Sequence, residues 1–309
     1  MKAIAEAPSK AIITGEHFVV HGAWALAVAL PRKVRAEVRE SASFNVTSDK
    51  VSSAGTFGLH PIAAMVEEMA REFSFNTHLN ISIRSEIPEG AGLGSSSATM
   101  VAVASAVARL HFLDLQPSDI VRFSMVGERE VHGRPSGIDV AACAVGGVIL
   151  YKPGTRPKKV SFQGRRSLIV AFSGKSRSTK RQIRRVAEMK ETFPSLFSGL
   201  TEAAGEISLM AAKRLVNRDT RGLGRLMSFN HAVLSTLGVS NPSLDRLVDL
   251  ALSLGAYGAK LTGAGGGGSV VAVAPRGKEK SIVSGLKGRG FDAFRAEIPV
   301  DGVRSWLER

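Results

Sequence analysis

The chain has 309 residues and only one cysteine, two tryptophans and two tyrosines; aromatic residues make up 6 % of it. A lone cysteine, Cys143, excludes an internal disulfide and a cysteine-based zinc site, which suits a reducing cytosol better than a secreted scaffold. So few aromatics leave little material for a base-stacking platform. Long hydrophobic runs are missing too: the apolar stretches around 23–30 and 139–151 fall short of the ~18–20 residues that span a bilayer. The opening MKAIAEAPSK is interrupted by Glu6 and Lys10, so no signal-peptide core is expected. These absences lead us to expect a soluble, cytoplasmic protein with no membrane partner.

Acids are the scarce charge. Lys and Arg total 41 against 27 Asp and Glu, a net charge of +14, and such an excess favours anionic partners. The excess is local: residues 152–190 hold thirteen Lys/Arg and a single acid, Glu188. Within it, Arg177, Arg181, Arg184 and Arg185 share a helical face, and Ile183, Val186 and Ala187 can face a core. A nucleic-acid-binding module built on this segment is the reading from a different functional class. The missing Arg/aromatic interleaving counts against it, and a solvated helix face is the favoured reading, so no nucleic acid is expected.

With 44 % apolar and 22 % charged residues the composition is globular, and the length fits one large or two medium domains. The first 29 residues mix extended runs with a polar turn at Gly15–His17. Asn80–Arg84 alternates as a strand and leads into a glycine-rich loop; a small-residue helix follows over 95–110, rich enough in Ala and Val to be buried on most sides. A second helix is expected over 118–131 and a strand at 146–151. The turn formers and basic residues of 152–166 mark the best domain junction, which divides the chain into 1–160 and 161–309. Beyond it we expect a strand at 167–172, helices at 177–191, 195–216, 219–235 and 242–254, then strands at 258–261, 269–274 and 293–298 with a helix at 278–289 before the last. That order is α+β, without the βαβ repetition of a dinucleotide-binding fold.

Four segments can carry chemistry. The run Pro88-Glu-Gly90-Ala91-Gly92-Leu93-Gly94-Ser95-Ser96-Ser97 stands directly before a helix. Glycines there let consecutive N–H groups converge, and the helix start adds uncompensated donors, so the loop suits phosphate; Ser95 or Ser96 can cap the helix or ligate a phosphate-bound Mg²⁺. It ends without the Gly-Lys-Ser/Thr of a P-loop. The second segment is KLTGAGGGGS, Lys260 to Ser269, whose five glycines in seven residues exceed what a hairpin needs and suggest that something approaches the backbone. In the third, Glu128 lies late in a helix and Asp139 stands at the edge of a buried run, where an acid needs a cationic partner; Arg134 is one structural option. In the fourth, Lys10 interrupts an apolar run and so points to an acid or phosphate, while His17 and His21 lack the companions of a zinc site.

Taken together and in this order, the segments resemble the GHMP kinase superfamily over nearly the whole chain. Within it, GEHFVVHG and GEREVHGRPSGID are similar to the signatures of the mevalonate kinases. The resemblance implies a two-domain GHMP fold, with a ribosomal-S5-like N-terminal domain and a ferredoxin-like C-terminal one. It implies ATP-dependent, Mg²⁺-assisted phosphorylation of the primary (C5) hydroxyl of mevalonate, with phosphomevalonate or another small alcohol as the alternative acceptor, in a homodimer. By position it makes Asp139 the catalytic aspartate and Lys10 its cationic partner, Ser96 and Glu128 the Mg²⁺ ligands, and Glu16, His17 and Asp139 the mevalonate-binding residues. Residues 88 and 90–97 with Thr262 correspond to the ATP site. The chain departs from the pattern at Ser9, where APGK has glycine, and at Thr99, where animal enzymes have a substrate-contacting tyrosine.

Overall fold

The computed structural model describes residues 1–49, 60–175 and 179–308; Arg177 of the basic face lies outside the described residues. The first sheet is built on two long strands, β1 (Lys2–Thr14) and β2 (Ala25–Glu40), paired antiparallel. Both are buried along most of their length because helices cover one face and the second half of the protein covers the other. Pro8 is tolerated within β1 because the register shifts between Pro8 and Ser9 and the neighbour on the other side pairs only with Lys2–Glu6. The sheet is completed by β3 (Asn45–Ser48), β4 (Leu79–Ser85), β5 (Val148–Tyr151), the short β6 (Lys158–Lys159) and β11 (Arg304–Glu308).

Four helices belong to this sheet: α1 (His60–Phe73), α2 (Ser95–Leu110), α3 (Pro117–His132) and α4 (Ile138–Val145). The Ala/Val-rich α2 is buried on most sides, as its composition predicts, and packs on β1, β2, α3 and α4. Each of its buried valines, Val101, Val103 and Val107, contributes about 1.5–3 kcal/mol of apolar burial. A capping box between Gln116 and Asp119, with Pro117 at the first helical position, starts α3.

The second sheet runs β10 (Asp292–Ile298), β7 (Arg166–Phe172), β9 (Ser269–Val273), β8 (Gly258–Thr262), antiparallel throughout. With it go α5 (Thr179–Thr192), α6 (Pro194–Val216), α7 (Thr220–Thr236), α8 (Pro242–Ser253) and α9 (Glu279–Lys287). The class is α+β, as the sequence predicts. Two features go beyond the sequence reading. Ahead of the expected strand at 146–151, residues 138–145 form a helix, α4, that the sequence reading did not assign. The last strand, β11, leaves the second half of the chain and pairs with β1, so both chain ends lie in the first sheet.

The basic segment does not form one element. It is divided among β6 in the first sheet, β7 in the second, and α5. On α5, Val186 faces the core as expected together with Gln182, but Ile183 and Ala187 do not: both line an open cleft, and Ile183 is exposed. Helical periodicity identifies an apolar face without saying whether protein or ligand covers it.

Candidate active site

The cleft lies between the two sheets and has a volume of about 330 Å³. Its walls come from β1 and the turn after it (Lys10, Glu16, His17), from α3 and α4 (Glu128, Asp139), and from α5 and the second glycine loop. Lys10 projects from β1 and is 1 % exposed. Its ammonium lies 2.9 Å from Asp139 Oδ2. Arg134, the other cation considered for Asp139, is an exposed part of the cleft wall.

Asp139 occupies the first turn of α4, behind Gly137 in the left-handed conformation, where the helix N-terminus favours negative charge. Its Oδ1 is buried and has no hydrogen-bond partner within the protein. One carboxylate oxygen is therefore held by lysine and the other is left to accept a proton-bearing group. Three residues before Asp139, the Ser136 carbonyl accepts from the Tyr151 hydroxyl at 2.8 Å.

The first glycine loop does not itself line the cleft; it contacts Lys10, which does. The Lys10 N–H donates to the Leu93 carbonyl at 2.9 Å, and the Lys10 ammonium reaches the Gly92 carbonyl at 3.5 Å. Gly94 has φ +77°, and a Cβ there would come within 2.7 Å of the Lys10 side chain, so no other residue fits without displacing that lysine. Gly94 is also the N-cap of α2 and brings no side-chain acceptor to the first N–H groups, which keeps them available to an anion. One turn into α2, the Ser96 hydroxyl donates to Glu128 Oε1 at 2.5 Å. Glu128 is 4 % exposed, and burial pushes its carboxyl above the usual range against the opposing pull of His132. Two oxygens thus converge beside the anion-binding helix end, the donor type that hard cations take. Among the described residues no group of three or more His, Cys, Asp or Glu forms an all-protein metal cage.

Glu16 lies at the cleft but is 1 % exposed and engaged elsewhere: Lys260 pairs with its Oε1, and Asn230 Nδ2 donates to its Oε2 at 3.2 Å. His17, at φ +63°, has its Nε2 3.0 Å from the Ala264 carbonyl. Thr262 is not brought to the cleft; it is wholly buried, and its hydroxyl accepts from the Ile12 N–H at 2.9 Å and donates to the Ile12 carbonyl at 3.1 Å. What approaches the second glycine loop is largely the protein itself. Gly266 donates to the Val239 carbonyl at 2.8 Å and abuts Gln182, and Ser269 Oγ donates to the Ala91 carbonyl at 2.8 Å, tying the two glycine loops together.

Three residues escaped the sequence reading: Lys260, Asn230 and Tyr151. Lys260 heads the second glycine motif, which is a signal of sorts; Asn230 and Tyr151 carry none. Cys143 is fully buried and its surroundings push its thiol up, chiefly by desolvation, the environment of an unreactive cysteine.

Comparison with known proteins places this geometry. Residues 60–147 match the model of the GHMP kinases N terminal domain and residues 211–292 that of the GHMP kinases C terminal domain. A mevalonate kinase of Methanothermobacter thermautotrophicus is 35 % identical over 98 % of this chain and 100 % of its own length. One of Pyrococcus abyssi is 34 % identical over 97 % of each. The crystal structure of L. major mevalonate kinase in complex with R-mevalonate superposes with a TM-score of 0.81 at 29 % identity, covering 96 % of both chains. No helix among the described residues is long and apolar enough to cross a membrane.

Proposed function

The chain belongs to the mevalonate kinases of the GHMP kinase superfamily, and from that premise we propose how its residues perform the transfer of the ATP γ-phosphoryl group to the primary C5 hydroxyl of mevalonate. The observation that carries the reading is the Lys10–Asp139 pair at 2.9 Å, with Asp139 Oδ1 unpartnered in the cleft beside the N-terminus of α2. Phosphoryl transfer asks for positioning and charge stabilisation more than for covalent chemistry.

Residues 88–97 cradle the ATP phosphates through loop N–H groups and the start of α2. Asp139 Oδ1 accepts the C5 hydroxyl, orients it in line with the γ-phosphorus and receives its proton as the new P–O bond forms and the bond from the γ-phosphorus to the bridging oxygen breaks, releasing ADP. Lys10 holds the other oxygen, keeps the carboxylate in place and stabilises charge on the transferring group. Ser96 and Glu128 fit Mg²⁺, which when bound neutralises the phosphate charge. The turn at Glu16 and His17 forms the wall on the mevalonate side, and the apolar residues of α5, Ile183 and Ala187, face the hydrocarbon part of the substrate. Thr262 serves the ATP site only indirectly, through β1.

The catalytic unit consists of residues 1–160 with β11 added; residues 161–303 supply the second wall. Homodimer assembly is a separate part of the proposal, supported by the exposed apolar side chains Leu196, Met210 and Phe229 on α6 and α7. Light scattering after size exclusion should give about twice the 32.7 kDa chain mass. The function is tested by an ATP-coupled assay over mevalonate, phosphomevalonate, homoserine and galactose. Turnover of mevalonate is expected; turnover of another acceptor and none of mevalonate would overturn the assignment.

A further inference from the structure

The wall on the mevalonate side is anchored from a distance. We propose that Lys260, acting with Asn230, is a positioning residue that fixes the Glu16–His17 turn, and so governs mevalonate binding without touching the substrate; this rests on the mevalonate kinase reading.

Lys260 projects from β8 and is fully buried. Its ammonium donates to Glu16 Oε1, to the Leu261 carbonyl and, at 3.4 Å, to the Ile12 carbonyl. Three N–H donors thus meet three acceptors, which is full use of a lysine head group. Asn230 on α7 uses both ends of its amide on the same turn: Oδ1 accepts from the Gly15 N–H at 3.0 Å and Nδ2 donates to Glu16 Oε2 at 3.2 Å. Both Glu16 oxygens are therefore held by residues of the second half of the protein. On the other side of the turn, His17 Nε2 meets the Ala264 carbonyl, four residues beyond Lys260. The backbone of His17 is left-handed, a conformation that persists in a non-glycine residue when its surroundings over-determine it.

The ATP side is anchored differently. The first glycine loop is fastened chiefly to Lys10, by the Leu93 carbonyl and by the packing of Gly94 on the lysine stem, and it meets the second sheet through the Ser269 hydroxyl on the Ala91 carbonyl. The two substrates consequently depend on largely different contacts, Lys260 and Asn230 on one side and Lys10 on the other. Burial opposes charge on both members of the Glu16–Lys260 pair, raising the carboxyl and lowering the ammonium, and each partner's charge offsets that effect on the other.

Steady-state kinetics of Lys260→Met and Asn230→Ala, measured separately for each substrate beside melting curves, test this. Loosening a substrate-positioning element by about an ångström lowers reactivity as much as ~10²-fold. We expect the mevalonate KM to rise at least about ten-fold in both variants while the ATP KM stays within about three-fold. Lys260→Arg, which retains the charge and donors, should restore part of the mevalonate KM. Should Lys260→Met not fold, Asn230→Ala decides alone, since it removes no charge. Equal movement of both KM values, or an unchanged mevalonate KM in a folded variant, would overturn the inference and leave Lys260 a structural residue. The wild-type chain is assayed alongside: failure to turn over mevalonate defeats the functional reading, whereas normal turnover with unaltered variants defeats only this one.

Discussion

Lys10 and Lys260 are both buried and both paired with a carboxylate, yet the two pairs are finished differently. The Asp139 side chain beside Lys10 is 34 % exposed and leaves one buried oxygen without a partner. Glu16 beside Lys260 is closed off, with both oxygens bonded. The first pair leaves one carboxylate oxygen unbonded at a cleft; the second leaves neither oxygen unbonded. On the proposed mechanism the same chemical couple serves reaction in one place and architecture in the other, and an unbonded carboxylate oxygen separates them. A buried, unsatisfied oxygen is costly to a fold and is retained where a ligand completes it.

The sharpest way to break this comparison is at the carboxylates. Asp139→Asn keeps the shape but removes the proton acceptor, and kcat should fall by about 10²–10⁴-fold, the usual worth of a positioned acid or base. Single-turnover kinetics would check that chemistry itself slows. Near-normal kcat would mean that the free oxygen of Asp139 has no chemical role, and the contrast with Glu16 would collapse.

A second, smaller effect concerns stability. Removing one member of a buried ion pair costs about 3–5 kcal/mol because the other charge is stranded. Lys260→Met strands Glu16, which water cannot reach; Lys10→Met strands Asp139, which water partly solvates. Urea unfolding should show the larger loss for Lys260→Met and the smaller for Lys10→Met. Equal losses would show that exposure of the partner does not distinguish the pairs.

The two pairs also differed in how far the sequence revealed them. Lys10 breaks an apolar strand and Asp139 opens a buried run, so each announces a need for a partner. Their pairing, like the roles of Ser96 and Glu128, was expected only through the family resemblance. Glu16 and Lys260 are 244 residues apart, and no local pattern links them. Elements set by local rules were legible: α2 by its composition, although its N-cap is Gly94 and not the expected Ser95 or Ser96, α3 by the turn formers at its start, the strands of the second sheet by their apolar runs. The closure of the first sheet by β11 was not, because strand pairing between chain ends leaves no local trace. On α5, Ile183 and Ala187 were read as core when they line the cleft, since an apolar stripe looks the same under protein or substrate.

Gly94 sharpens the comparison from the side of Lys10. Alanine there must adopt φ +77° and push a Cβ into the lysine stem, a strain of about 1–3 kcal/mol. We expect Gly94→Ala to raise the ATP KM and lower kcat, about ten-fold together, because 1.4 kcal/mol corresponds to a factor of ten. The mevalonate KM should change little, mirroring the pattern expected of Lys260→Met. If both variants shifted the same KM, the two supports would not be separate.

The smallest expected effect comes from Tyr151, which acts on Asp139 through the chain. Its hydroxyl holds the Ser136 carbonyl at 2.8 Å, three residues before Asp139, and a Cβ on Gly137 would come within 2.6 Å of the same oxygen. Tyr151→Phe removes that hydrogen bond while preserving the ring, a loss of about 0.5–1.5 kcal/mol. If the bond only stabilises the fold, the variant unfolds at slightly lower urea and kcat is unchanged. If it orients α4, kcat should fall about two- to ten-fold with both KM values retained, because the free oxygen of Asp139 then samples positions away from the acceptor hydroxyl. The second outcome extends the contrast: the reactive carboxylate, having one oxygen unbonded, takes its orientation from the backbone behind it, whereas Glu16 takes its own from the groups that bond it directly.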